Sequence, residues 1–165
     1  MKNFPVKIDN KEYWISRSVA TAGLIFTNDK GLSILAVKRG KGCPDEVGKW
    51  CCPCGYLDWD ETLKECCCRE IREESNLQVL PEDLRFWYLN DDPKETHQNI
   101  TAIFYCYNED YIKQSINFKH SEPNEVEEVK WIKVSEIYKY DWAFNHLKLI
   151  QDCNEVVLKG YKFIW

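Results

Sequence analysis

Between Asp60 and Asn76 the chain carries a helical pattern whose carboxylates fall among its apolar residues, a placement that few folds can accommodate. At about 100° per residue, Leu63, Cys66, Cys67 and Ile71 share one side of the helix, and Glu70, Glu73 and Glu74 fall on that same side. A solvated charged face belongs opposite the apolar stripe, where Glu65, Arg69 and Arg72 stand. Asp60 is the expected N-cap before Glu61-Thr62-Leu63, the pattern runs to about Ser75, and Asn76 occupies the usual place of a left-handed C-terminal cap. Carboxylates crowded into a partly buried place repel one another and lose hydration unless protons or cations neutralise them. A divalent metal resolves the conflict. All-oxygen ligation favours a hard cation such as Mg²⁺, which keeps several waters and takes substrate phosphates as further ligands.

Such a helix needs a layer to pack on, and the flanking sequence supplies strands. Val19 to Phe26 and Leu32 to Val37 are β-branched, apolar runs separated by Asn28-Asp29-Lys30-Gly31, which reads as a hairpin. Lys38 to Gly42 and Pro44 to Gly48 read as a polar loop leading to the short apolar stretch Trp50 to Pro53. Leu84 to Leu89, Ile100 to Tyr107 and Val126 to Val134 read as further strands. In Ala143 to Cys153, Phe144, Leu147, Ile150 and Cys153 are spaced like the apolar face of a closing helix. Strands interleaved with two helices predict an α/β sandwich.

The length of 165 residues, 44% of them hydrophobic, fits one domain over residues 1–165. No apolar stretch is long enough to span a membrane, and the polar segment Met1 to Lys11 lacks the features of a secretory signal, so a cytoplasmic location is expected. The net charge of −5 argues against a general nucleic-acid surface, which needs clustered Lys and Arg. A small anionic substrate fits if a metal supplies positive charge. Nine cysteines, an odd number, exclude complete disulfide pairing within the chain. Cys51, Cys52, Cys54, Cys66, Cys67 and Cys68 suggest zinc, but three consecutive helical residues point about 100° apart and cannot converge on one ion. Thiols acting as small buried hydrophobes are the favoured reading.

From Gly55 to Leu77 the sequence GYLDWDETLKECCCREIREESNL closely resembles the Nudix box, G-x5-E-x7-R-E-U-x-E-E-x-G-U, with U aliphatic. Gly55, Glu61, Arg69, Glu70, Ile71, Glu73, Glu74 and Leu77 match, and Asn76 replaces the final glycine. Trp50-Cys51-Cys52-Pro53-Cys54-Gly55 resembles the family's W-x-x-P-G-G segment with Cys54 in place of a glycine, and Asp60 stands where glycine is frequent. Tyr140 to His146 resembles an L-A-F-D-H segment of ADP-ribose-pyrophosphatase-like members, and the whole resemblance runs from about Ser18 to Cys153.

The resemblance implies an α/β/α sandwich around a mixed sheet and hydrolysis of a diphosphate linkage by water. It implies Glu70, Glu73 and Glu74 as ligands of Mg²⁺, with Mn²⁺ able to substitute, and the Gly55 carbonyl as a further oxygen. Arg69 would orient a glutamate through a charge-assisted hydrogen bond, with Glu61 in support. The family takes its base from the box helix or from a later loop; Glu122, Glu125, Glu127 and Glu128 are candidates, with Glu125 the first choice and a solvated acidic loop the alternative. Arg39 is a candidate for substrate phosphate or an ordinary surface charge. Nothing in the spacing of His97, His120 and His146 supports catalysis, and His146 reads as helix packing. The expected substrate is a nucleoside diphosphate derivative such as ADP-ribose, a reading to which Pro93 adds a weak signal beside that of an ordinary turn proline. Nucleoside triphosphates are the runner-up, and a non-cleaving nucleotide sensor is the alternative of another class. Trp14, Trp87 and Tyr88 read as core residues before base-stacking ones. Family members are often homodimers.

Overall fold

In the computed structural model the described residues are 3–28, 30–95, 97–117 and 124–161. The long apolar run after Ser18 becomes the central strand β3 (Val19–Asn28), buried on both faces along most of its length. Before it stands a hairpin of β1 (Phe4–Ile8) and β2 (Lys11–Ile15). The chain continues through β4 (Leu32–Arg39), β5 (Trp50–Cys51), β6 (Cys54–Tyr56), α1 (Leu63–Ser75), β7 (Arg85–Asn90), β8 (Ile100–Tyr107), β9 (Val126–Lys133) and α2 (His146–Tyr161). The hairpin turn expected between β3 and β4 includes Asp29, which lies outside the described residues.

The sheet is mixed: β3 runs parallel to β8, whereas its pairing with β4, and that of β7 with β8 and of β9 with β4, is antiparallel. Alternation along β3 sends Ala22, Leu24 and Phe26 to one face, where Leu149, Ile150, Cys153 and Val157 of α2 cover them. Ile25 faces the other way and packs with Cys67 and Ile71 of α1. One helix on each face makes the expected α/β/α sandwich. Gly23 permits the close approach of α1, since a Cβ there would stand 2.9 Å from Ile71 Cδ1.

The sheet also forks. Strands β3 and β4 pair over Phe26 to Asn28 and Leu32 to Ser33 and Ile34, then part. Into the opening come β5, which pairs Val37 and Lys38 of β4, and β6, which pairs Ala20 to Ala22 of β3. Cys52 and Pro53 cross the gap between them, and the Gly23 N–H donates to the Pro53 carbonyl at 2.9 Å. The fork thus delivers Gly55 to the underside of α1.

Several local expectations need correction. Lys38 and Arg39 belong to β4, not to the following loop, because Lys49 and Gly48 exchange backbone hydrogen bonds with Arg39. Thr62 caps α1 instead of Asp60: its hydroxyl accepts from the Glu65 N–H at 3.3 Å while Glu65 accepts from the Thr62 N–H at 2.8 Å. This reciprocal box satisfies two otherwise orphaned donors. Asn76 does take the left-handed conformation, at φ 61°, and its N–H donates to the Arg72 carbonyl. The β1–β2 hairpin is absent from the sequence reading. Its signal is Asp9-Asn10, both at positive φ, as a tight hairpin turn requires. Phe144 precedes α2 and does not belong to its apolar face. Among the described residues no helix is long and apolar enough to cross a membrane.

If the Thr62 box starts α1, Thr62→Ala should cost about 1 kcal/mol in urea denaturation and Asp60→Ala less than about 0.5. The opposite order would return the cap to Asp60.

Candidate active site

Arg69 organises the acidic side of α1. Its Nε and Nη2 donate to the two carboxylate oxygens of Glu61 at 3.0 and 2.7 Å, a bidentate pair. Its Nη1 donates to Glu70 at 2.6 Å and to Glu73 at 3.1 Å, and Nη2 also donates to the Tyr56 carbonyl at 2.9 Å. The wheel had set Arg69 on the solvent side, yet its side chain is only 22% exposed. A long side chain on the flank of a helix can bend its charged end towards a neighbouring face, and three carboxylates draw it there. The pairing raises the Arg69 pKa, chiefly through Glu61, and holds the Glu61 carboxyl down at about 2.

Glu70 and Glu74 experience the opposite pressure. Burial pushes the Glu70 carboxyl up against the pull of Arg69. Glu74 is pushed well above the ordinary carboxylate range, first by burial and then by the nearby Cys54 and Glu70; the Cys54 N–H, donating to its Oε2 at 3.1 Å, opposes the rise. Gly55 lies directly beneath Glu70, whose carboxylate fills the space a Cβ would occupy, so any larger residue at 55 displaces that carboxylate.

Among the described residues no three His, Cys, Asp or Glu side chains converge as a cation cage. Glu70 and Glu73 are turned to Arg69, and Glu74 to Cys54. The donor chemistry nonetheless fits a hard cation. All the side-chain donors are carboxylate oxygens, and a divalent charge would offset the cost of ionising Glu70 and Glu74 where burial opposes it.

A rim of loop residues borders this acidic cluster. Arg39, at the end of β4, is largely buried and not the ordinary surface charge weighed for it. It pairs with Asp45 at 2.8 Å and lies 4.9 Å from the centroid of the Phe144 ring. His97 reaches the other Asp45 oxygen at 2.5 Å and so ties the 40–49 loop to the 91–99 loop. Arg17 braces the latter loop by donating to the Asp91 and Asn99 carbonyls at 2.9 Å each. Phe144 takes a left-handed φ of 55°, unusual for a bulky residue, and this directs its ring onto Arg39. Asp45, His97 and Phe144 were not singled out for this rim, because only the folded loops bring them together.

Glu125 sits in the turn before β9, its carbonyl accepting from the Gly40 N–H at 2.6 Å and from the Cys43 thiol at 3.2 Å. The Gly42 N–H donates to the adjacent Asn124 carbonyl at 2.7 Å, so the Glu125 turn is fastened to the loop after β4. Glu127 and Glu128 pair with Lys38 and Lys130. Glu122 and His120 lie outside the described residues. His146 is buried and neutral, its pKa lowered to about 4 by burial, and its Nδ1 accepts from the Cys52 N–H at 3.0 Å. Trp14 and Tyr88 are exposed, contrary to the core reading, whereas Trp87 packs against the α2-side core. Pro93 lies in a turn closed by the Glu95 N–H donating to the Asp92 carbonyl. All nine cysteines are free, and six of them are buried.

The comparisons with known proteins agree with this geometry. The family model described as NUDIX domain matches residues 17–153. A comparison with curated protein sequences finds no match. Among solved structures, the NUDIX domain of Shewanella oneidensis NrtR, complexed with ADP ribose, is similar with a TM-score of 0.71 at 22% identity, covering 87% of this chain and 90% of that one. The bifunctional NMN adenylyltransferase/ADP ribose pyrophosphatase of Francisella tularensis, complexed with AMP and Mn ion, gives a TM-score of 0.68 at 24% identity over 85% of this chain and 42% of its own. The MutT protein of Methanosarcina mazei gives 0.63 at 22% identity over 87% and 96%. At these identities the likeness establishes the fold.

The Glu61 contact generates a pH prediction. With its folded pKa near 2, below the ordinary 4.5, Glu61 contributes stability that is full above about pH 4.5 and is lost as pH falls through 2. Glu61→Gln should therefore cost about 2 kcal/mol at pH 7 and much less at pH 2.5, read from urea midpoints. An equal cost at both pH values would show that the ion pair does not carry it.

Proposed function

The chain belongs to the NUDIX family, and on that premise we propose that it is a Mg²⁺-dependent pyrophosphohydrolase acting on a nucleoside diphosphate derivative such as ADP-ribose, with Mn²⁺ able to substitute. The observation that carries the reading is the partly buried Glu74, its carboxylate accepting from the Cys54 N–H, held near Glu70 above side-chain-free Gly55. In this proposal residues 1–165 form a single domain, and Glu70, Glu73, Glu74 and the Gly55 carbonyl hold the cation. When bound, the cation supplies positive charge that offsets the charge of the diphosphate.

The chain's own residues do the remaining work. Arg69 keeps Glu70 and Glu73 oriented through its paired hydrogen bonds. Arg39, braced by Asp45 and Phe144, binds a substrate phosphate, for which a planar guanidinium is well shaped. Glu125 accepts the proton of the attacking water. The substrate class draws support from the relatives complexed with ADP ribose and with AMP. Triphosphate cleavage is the second reading, favoured by the similarity to MutT proteins.

Product release from ADP-ribose, other nucleotide sugars, dinucleotides and triphosphates, with Mg²⁺ or with EDTA, tests the proposal. Cleavage should require the metal, favour ADP-ribose over triphosphates, and fall by about a hundredfold or more in Glu73→Gln. Binding of nucleotide without turnover by the folded wild-type protein would replace the hydrolase with a sensor.

A further inference from the structure

Arg39 is largely buried, yet among the described residues one of its nitrogens meets no partner. Its side chain is 12% exposed, its Nη2 donates to an Asp45 carboxylate oxygen at 2.8 Å, and its Nε donates to the Asp45 carbonyl at 3.2 Å. Both contacts lie on one edge of the guanidinium, while the Phe144 ring sits against it. Among the described residues Nη1 has no hydrogen-bond partner, and it is not sealed from solvent. Asp45 is itself held. Its loop closes on the backbone of Arg39, whose N–H donates to the Lys49 carbonyl at 2.9 Å and whose carbonyl accepts from the Gly48 N–H at 2.8 Å. The second Asp45 oxygen faces His97 Nε2 at 2.5 Å, and because a carboxylate accepts and does not donate, Nε2 carries the proton. His97 stands on a fixed post: Arg17 donates to the carbonyls of Asp91, Gln98 and Asn99, and the Asn99 side chain donates to the Tyr56 hydroxyl at 3.3 Å. The contacts thus run from Arg39 on β4, across the mouth of the fork, to Tyr56 on β6, the residue after Gly55.

We infer that Asp45 is a positioning residue for Arg39, fixed by His97 from the far side of the fork, and that the pair turns Nη1 of Arg39 to a phosphate oxygen of the substrate. The inference rests on the phosphate role proposed for Arg39. A guanidinium has five donors, and those left idle in a partly buried place are costly until a ligand or water meets them. Asp45 keeps Nε and Nη2, so the phosphate meets Nη1. An unrestrained arginine loses the freedom of several rotors when it engages a ligand, whereas one already held by its other edge loses less. Neither Asp45 nor His97 touches the substrate in this arrangement. Loss of Asp45 releases the guanidinium directly, and loss of His97 leaves the ion pair but frees the loop that carries it.

The test is a set of substitutions in the full chain, read by calorimetric binding of AMP and by KM and kcat on whichever substrate of the panel the wild type hydrolyses. Arg39→Ala should weaken AMP and raise KM by about tenfold or more, the weight of a hydrogen bond to a charged group. Asp45→Ala should do nearly the same and His97→Ala should cost about threefold, with kcat within about twofold in both, as expected where ground and transition states share the contact. His97→Gln, whose amide can still donate to Asp45, should recover most of the loss. In the Arg39→Ala background neither Asp45→Ala nor His97→Ala should weaken AMP further, since both act through Arg39. Urea midpoints identify any variant that has lost its fold, and Asp45→Asn replaces Asp45→Ala if that one has. Further weakening in the Arg39→Ala background, a fall in kcat at unchanged KM, or His97→Gln no better than His97→Ala would overturn the inference. The expected AMP pattern in a protein that hydrolyses nothing in the panel would remove the hydrolase reading and leave the positioning of Arg39 standing. Metal-dependent turnover with KM unmoved by all three single substitutions would keep the hydrolase and overturn the positioning.

Discussion

The guanidinium of Arg69 allows Glu70 and Glu73 to share the partly buried side of one helix beside Glu61 of the preceding loop. It spans β6 through the Tyr56 carbonyl, the loop before α1 through Glu61, and α1 itself through Glu70 and Glu73. Each contact on its own is modest, because water competes for every partner. Together they satisfy most donors of a planar fork, and few geometries of strand, loop and helix would satisfy them at once. The approach of α1 to β6 is consequently set by charge as well as by the apolar packing of Cys67 and Ile71. Glu74 stands outside the clamp and relies on one backbone N–H, which makes it the carboxylate most sensitive to its surroundings.

The fork in the sheet connects that clamp to the opposite face of the molecule. Its crossing turn lies under α1 through Gly55 and touches the start of α2 through Cys52 and His146. Trp50 extends the link: its N–H donates to the Asp141 carbonyl, and its own carbonyl accepts from the Ala143 N–H. Phe144 follows at once and sets its ring against Arg39. The short segment Trp50 to Gly55 therefore holds both helices and the phosphate-binding candidate in one frame.

Periodicity made much of this legible. Strands β3, β4, β7, β8 and β9 and helix α1 fall where β-branched runs and apolar spacing put them, because those patterns record which side of an element is buried, whereas α2 starts three residues later than its apolar spacing implies and runs on to Tyr161. The placing of Glu70 and Glu74 on the side of α1 that faces the sheet was legible for the same reason. Arg69 was set on the wrong side because a wheel locates the Cβ and not the end of a long side chain. Thr62 and Asp60 both suit a helix start, and only the reciprocal bonds with Glu65 choose between them. Hairpin β1–β2 has no buried face, so it lacks the alternation that reveals a strand and leaves only the turn chemistry of Asp9-Asn10. The contacts of Asp45 with Arg39 and His97 join loops far apart in sequence, for which no local pattern exists.

The parallel pairing of β3 with β8 governs how the molecule can come together in time. Thr27 on β3 and Asn108 just past β8 bond across 81 residues, so the chain must close a long loop before these neighbours meet. Loop closure on that scale costs about 4 kcal/mol of chain entropy, recovered only once the strands zip together. Within the loop lie β4, β5, β6, α1 and β7, and α1 buries Cys67 and Ile71 against residues of both β3 and β8. Its apolar side is not fully covered until β8 docks. The apolar packing that offsets the cost of holding Glu70 and Glu74 over β6 is therefore completed only at the end of the slow search for the parallel partner.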